Sequence, residues 1–116
     1  MTETRQTVFT GNPTEGEPGS TVFRHVILFK MYDGTTDETV DEALRLMVDM
    51  CEDPTVLHYE VGVSQDTRKG KILFEFVDYQ DEDAFNAFKA TKAHQTYASF
   101  IRNHADWIIA DYVVAA

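Results

Sequence analysis

The chain has 116 residues, of which 43% are hydrophobic and 26% are charged, a composition typical of one globular domain. Twenty acidic side chains against ten basic ones give a formal net charge of -10, which repels phosphate backbones and anionic lipid headgroups. No apolar run approaches the ~20 residues that span a membrane, and the amino terminus lacks a signal-peptide pattern. We therefore expect a cytoplasmic protein that binds neither nucleic acid nor membrane.

The first twenty residues differ in composition from the rest of the chain. They are rich in glycine, proline and polar side chains, with little apolar content besides Val8 and Phe9. This composition predicts an N-terminal tail or arm at residues 1–20, followed by one domain at residues 21–116. Val8 and Phe9 are the side chains that could anchor such an arm.

The domain begins with a strand, a helix and a hairpin. Within residues 21–31 apolar side chains occur at both odd and even positions, which predicts a strand buried on both faces. Thr36 can cap a helix that continues to Cys51, the single cysteine, and Asp53-Pro54 ends it. Two further strands are predicted at residues 56–63 and 71–79, joined as a hairpin.

The second half of the domain repeats the alternation of helix and strand. A helical stretch begins near Asp81 and continues to about His104, and residues 107–114 are predicted to form the last strand. The resulting order, βαββαβ, predicts an α+β, ferredoxin-like fold with a four-stranded antiparallel sheet.

Two helical segments can cover only one face of such a sheet. The other face is also apolar, because Val26 and Leu28 alternate with Ile27 and Phe29 along the first strand. We therefore expect a homodimer joined through its sheet faces. The alternative is a monomer whose first twenty residues fold back over the open face.

Three separated motifs carry a resemblance to a known family. They are FRHVILFK at residues 23–30, FKATKAHQ at residues 88–95 and WIIADY at residues 107–112. In this order they resemble the stress-responsive A/B barrel domain, or Dabb, family over about residues 23–112. The resemblance implies a dimeric α/β barrel in which two sheets face one another, in a family whose members mostly have no assigned reaction.

A few plant relatives in that family are enzymes, and the resemblance implies candidate site residues. Among them are a small hydroxynitrile lyase and olivetolic acid cyclase, which closes a linear polyketide without a cofactor. Two histidines of the cyclase pocket correspond to His25 and His94, whereas its pocket tyrosine and a further histidine correspond to Phe88 and about Leu73. The resemblance thus implies chemistry with no cofactor, and two of the four polar positions are apolar here.

His94 and His25 are the candidate catalytic residues. His94 shares a helical face with Tyr97 and Ile101, where desolvation favours the neutral imidazole that can accept a proton. Its other interpretation is structural, as a hydrogen-bond donor to a carbonyl that fixes the start of the helix. His25 lies on the same face of the predicted strand as Ile27. It either orients a ligand oxygen or serves as a hydrogen-bonded core residue.

Other chemistries find less support in the spacing of residues. The four histidines show no i,i+4 pair and no cysteine companion, so we expect no metal site. Glu75 and Glu60, on strands, are interpreted as solvent-facing or interfacial salt partners. The predicted ligand-binding residues are aromatic: Phe29, Phe88, Tyr97 and Trp107.

Two functions from different classes remain open on the sequence. The first is a binding module for a small apolar or aromatic ligand, with a purely structural or stress-related role as its competitor. The second is a cofactor-independent acid-base enzyme of the cyclase or lyase type that uses His94 and His25.

Overall fold

The computed structural model describes residues 8–12 and 21–115, so most of the predicted arm (residues 1–7 and 13–20) lies outside the described residues. The described residues form six strands and three helices. The strands are β1 (Val8–Gly11), β2 (Thr21–Met31), β3 (Val56–Val63), β4 (Ile72–Tyr79), β5 (Ala105–Ile109) and β6 (Tyr112–Ala115). The helices are α1 (Asp37–Cys51), α2 (Glu82–Lys89) and α3 (Lys92–Ile101).

The strands form one antiparallel sheet in the order β1-β3-β4-β2-β5, with β6 also paired to β2. The predicted α+β, ferredoxin-like class is therefore confirmed, with six strands where four were expected. One additional strand, β1, comes from the predicted arm. The other arises because the predicted last strand is divided into β5 and β6.

The division between β5 and β6 leaves the register unchanged. Ile27 lies opposite Ile109 and Arg24 lies opposite Tyr112, so the two pairs are three positions apart on both sides of the ladder. The amide of Ala110 donates to the carbonyl of Val26 at 2.8 Å within this interval. By the same register Asp111 lies opposite His25.

β1 pairs with β3 at the edge of the sheet, and its Phe9 packs against the core. Gly11 lies opposite Tyr59, and a Cβ at this position would approach the Cε1 atom of Tyr59 to 2.5 Å. The Tyr59 ring is buried and its hydroxyl donates to Glu52 at 3.0 Å. Glycine therefore allows β1 to approach a ring that is held in place.

Each of the three helices begins with the same capping device. The side chains of Thr36, Asp81 and Thr91 accept a hydrogen bond from the backbone N–H three residues later. The cap at Thr91 starts α3 immediately after α2 ends at Lys89, so the single helical stretch expected from the sequence is two helices with a turn between them.

The helices cover one face of the sheet and leave the other open. Ile27, Phe29 and Met31 of β2 lie in the core on the covered face. On the outer face Leu28 is 46% exposed and Ile108 is 74% exposed. We use the name outer face for the apolar residues Val26, Leu28, Phe74, Phe76, Ile108 and Tyr112.

One ion pair crosses the outer face. The guanidinium of Arg24 donates to both carboxylate oxygens of Asp78, at 2.7 and 2.9 Å, and lies 4.8 Å from the ring centre of Phe76. The hydrogen bonds to Asp78 raise the pKa of Arg24 above its ordinary value. Within the described ranges, no helix has the length and apolar character needed to cross a membrane.

Candidate functional site

A cavity of about 510 Å³ lies between the covered face of the sheet and the helices. Its wall is mostly apolar, with Ile27 and Phe29 from β2 and Ile101 from α3. Polar side chains reach it from strands, helices and the segment between β5 and β6: His25, Glu75, Lys89, His94, Tyr97, Arg102 and Asp111. A volume of this size suits a small organic ligand, since such sites usually span about 300–1,000 Å³.

The structure brings together five of the six residues expected at the site. His25, His94, Phe29, Tyr97 and Trp107 all line the cavity. The sixth, Phe88, is 1% exposed and is not a lining residue. Its ring packs 5.2 Å from that of Tyr79 and edge-on to His94 at 5.4 Å, so it supports His94 from behind.

His25 is oriented by a carboxylate that the sequence analysis did not single out. The Nδ1 atom of His25 lies 2.6 Å from Oδ1 of Asp111. Because a carboxylate oxygen can only accept, Nδ1 carries the proton and Nε2 of the neutral ring is an acceptor. Burial lowers the pKa of His25, and the hydrogen bond to Asp111 opposes that effect. The two residues are 86 positions apart, and only the strand register makes them neighbours.

His94 combines the two interpretations that the sequence left open. Its backbone N–H donates to the Thr91 cap, and its Nδ1 lies 3.2 Å from the carbonyl oxygen of Lys89. That carbonyl belongs to the last turn of α2, where helices leave acceptors unsatisfied. The contact therefore fixes the helix junction and places the proton on Nδ1, which leaves Nε2 as the acceptor.

The surroundings of His94 also keep its imidazole neutral. Burial is the main cause that lowers the pKa of His94, and the hydrogen bond to the Lys89 carbonyl works in the opposite direction. The positive charge of Lys89, and that of His25 whenever it is protonated, lower the pKa further. A neutral imidazole with a free Nε2 can accept a proton from a bound molecule.

Glu75 is the residue whose environment the sequence analysis predicted wrongly. It is 3% exposed and lines the cavity, whereas it was expected to face solvent or an interface. A signal was present in the sequence, because Glu75 has the parity of Leu73 and Val77, which lie in the core. Burial raises the pKa of Glu75 to about 8, and the negative charge of Asp111 contributes to the same effect.

Two tyrosine hydroxyls near Glu75 have no hydrogen-bond partner in the part of the chain that the structure describes. They belong to Tyr97, which lines the cavity, and Tyr79. Burial raises the pKa of both phenols, so each remains a neutral hydroxyl. Buried hydroxyls are usually hydrogen-bonded, so the absence of a partner for these two groups among the described residues is an exception.

The thiol of Cys51 is fully buried in the core at the end of α1. Burial raises its pKa well above the ordinary value, so the thiol is a poor nucleophile. Among residues 8–12 and 21–115 no group of three or more His, Cys, Asp or Glu side chains is arranged to hold a metal ion.

The sequence profile described as the Stress responsive A/B Barrel Domain matches residues 23–114. The chain belongs to this family. The match includes all three helices of this A/B barrel domain and the strands that carry its cavity, and it confirms the resemblance carried by the three motifs. No curated protein matches the chain in sequence.

Several solved structures share the fold of this A/B barrel domain. A dimeric ferredoxin-like protein of unknown function from Thermobifida fusca has a TM-score of 0.74 at 18% identity, over 87% of this chain and 99% of that one. Hydroxynitrile lyase from Passiflora edulis has a TM-score of 0.71 at 12% identity, over 84% and 95%. SnoaB, a cofactor-independent oxygenase from Streptomyces nogalater, has a TM-score of 0.64 at 13% identity, over 80% and 92%. At these identities the likeness establishes the fold alone.

The buried carboxyl group of Glu75 makes the stability of the protein depend on pH. The folded chain keeps its proton to about pH 8, whereas the unfolded chain releases it near the ordinary pKa of 4.5. The contribution of this group to stability is therefore complete below the unfolded-state pKa and is lost as the pH rises through the folded-state pKa. We expect Glu75→Gln, which cannot ionise, to be more stable than the wild type by a few kcal/mol at about pH 9 but not at about pH 5.

Denaturant unfolding at both pH values measures this difference. Glu60→Gln on the neighbouring strand β3 is the matched control, because its carboxylate is 46% exposed and its loss should change stability little at either pH. A constant difference between Glu75→Gln and the wild type from about pH 5 to about pH 9 would contradict the neutral carboxyl group.

Proposed function

We propose that this A/B barrel domain binds a small, mostly apolar or aromatic ligand in the cavity between its helices and its sheet. The observation that carries the proposal is the cavity itself, whose apolar wall surrounds polar groups from several elements. Sites of this composition bind through burial of the ligand body, while a few polar contacts fix its orientation.

The aromatic side chains of the cavity suit a flat ligand body. The ring of Phe29 meets that of Tyr97 edge-on at 5.6 Å and that of Trp107 edge-on at 6.0 Å. Trp107 is 43% exposed and can cover a bound molecule at the rim. The Nε2 acceptors of His25 and His94 would then receive a hydroxyl group of the ligand, such as that of a phenol.

We further propose that the working unit is a homodimer joined through the outer face. This face combines exposed Leu28 and Ile108 with partly buried Phe74 and Phe76, and a group of exposed apolar side chains of this kind often marks an interface. The related Thermobifida fusca protein is described as dimeric, which supports the same assembly here. An interface of this apolar type usually buries on the order of 2,000 Å² or more in total.

A second candidate function is cofactor-independent acid-base catalysis in the same cavity. The specific observation that favours it is the hydrogen bond between His25 and Asp111, because a carboxylate on Nδ1 stabilises the imidazolium that forms when Nε2 accepts a proton. His94 would act as the general base. His25 would orient the substrate and, once protonated, donate from Nε2 to a developing oxyanion.

Filling the cavity tests the binding function. Phenols and aromatic ketones should raise the melting temperature of the wild type and bind measurably in calorimetry. Ala98→Phe places a ring at a lining position and should abolish both effects. Ala93→Phe, at an exposed position of the same helix, is the matched control and should retain them. Equal binding by both variants would place the ligand outside the cavity, and no binding by the wild type would favour a structural role.

Replacing His94 tests the catalytic alternative. If an activity is found, His94→Gln should lower turnover by about 10²-fold or more, because glutamine can preserve the contact with the Lys89 carbonyl but cannot accept the proton. His104→Gln is the control, at a partly buried histidine whose ring is tilted against that of Phe100, with ring centres 4.6 Å apart. Wild-type turnover should fall in acid, below the ordinary histidine pKa of 6.5, as the base becomes protonated. Full activity of His94→Gln would leave His94 with its structural role only.

A charge on the outer face tests the dimer. Ile108→Asp should dissociate the assembly at micromolar concentration, because a buried unpaired carboxylate is costly. Asn86→Asp adds the same charge at an exposed position of α2 and should leave the assembly intact. Sedimentation of both variants beside the wild type measures the outcome, and a monomeric wild type would overturn the proposal.

A further inference from the structure

Glu75 carries a buried carboxyl group that has no partner among residues 8–12 and 21–115. It lies on β4 opposite Ile27 of β2 and Val61 of β3, so its cross-strand neighbours on the covered face are aliphatic. The residue is 97% buried and lines the cavity, and no hydrogen bond or ion pair joins its carboxyl group to another residue within the described ranges. Buried polar groups are nearly always paired, and an exception of this kind is a common sign of a bound partner.

The cationic side chains of the cavity are engaged elsewhere. The ammonium group of Lys89 lies 4.5 Å from the ring centre of Phe85, and Nε of Arg102 donates to the carbonyl of Ala98 at 3.4 Å. Glu75 therefore has no described counter-charge to compensate for ionisation in an apolar setting. Burial favours the protonated carboxylic acid, which has one O–H to donate.

The titratable groups around Glu75 strengthen this state. A negative charge on Asp111, beyond β5, disfavours a second negative charge at Glu75. The neighbouring groups Cys51 on α1, Tyr79 on β4 and Tyr97 on α3 all keep their protons through burial. The remaining titratable groups on the cavity wall are His25, Lys89, His94 and Arg102.

We propose that Glu75 is the recognition residue of the cavity, and that it selects an apolar or aromatic ligand with a carbonyl oxygen by donating the proton of its neutral carboxyl group. This inference rests on the proposed ligand-binding function and adds the chemical class of the ligand. An organic amine is the ligand class that this proposal excludes. Its positive charge would pair with a carboxylate, and Glu75 would have to lose its proton to bind it.

Three probes of nearly equal shape test the inference: 2-acetylnaphthalene, 2-isopropylnaphthalene and 1-(2-naphthyl)ethylamine. The wild type should bind the ketone at least about tenfold more tightly than the hydrocarbon near pH 6.5, since one hydrogen bond from a buried donor is worth roughly that factor. Above about pH 8 the affinity for the ketone alone should fall, by up to about tenfold for each pH unit, as the donor is lost. Calorimetry or ligand fluorescence measures both quantities.

Two variants isolate the role of Glu75 in this experiment. Glu75→Gln keeps a donor in its amide group, so it should retain the preference for the ketone and lose the pH dependence. Glu75→Leu should lose the preference while it still binds 2-isopropylnaphthalene, which shows that the cavity is intact.

The possible results separate the two proposals. Equal binding of all three probes by the wild type would leave the binding function standing and overturn the role of Glu75. Preferred binding of the amine, with an affinity that rises toward about pH 8 and is lost in Glu75→Gln, would show a carboxylate and overturn it as well. No binding of any probe would overturn the binding function and this inference with it.

Discussion

The pairing of β2 on both of its edges is the constraint on which the rest of the structure depends. β2 forms antiparallel ladders with β4 on one side and with β5 and β6 on the other. Because side chains alternate between faces, this single strand divides its residues between a face under the helices and the outer face. A shift of one residue would exchange these environments and bury Lys30 in place of Phe29.

The same ladders assemble the polar groups of the cavity. Asp111 faces His25 because the register continues through the interval between β5 and β6, and Glu75 faces Ile27 across the β2–β4 ladder. His25 and Glu75 sit among apolar neighbours, where burial shifts the pKa of each toward the neutral form. The outcome is a cavity whose neutral imidazoles are able to accept a hydrogen bond and whose neutral carboxyl group is able to donate one. Such a set can orient a polar ligand without requiring a net charge on it.

The helix junction supplies the remaining part of the site. Thr91 both accepts from the backbone of His94 and donates to the carbonyl of Phe88, at 2.8 Å, so one side chain closes α2 and opens α3. The Nδ1 atom of His94 then donates to the carbonyl oxygen of Lys89, while the ring of Phe88 packs against the imidazole. Structural and chemical roles are thus compatible in His94, because each uses a different ring nitrogen.

The sequence by itself determined the α+β class, the family and the approximate bounds of the main elements, because alternation, helical spacing and capping residues such as Thr36 are local signals. It also indicated His25 and His94, through the family resemblance and their apolar faces. Only the tertiary structure decided that Asp111 meets His25 and that Glu75 is buried with no partner in the described part of the chain. It also showed that Phe88 lies in the core and not in the cavity wall. Contacts between residues 86 positions apart depend on strand register and on which face the helices cover, and both are set by packing of the whole domain rather than by any local pattern.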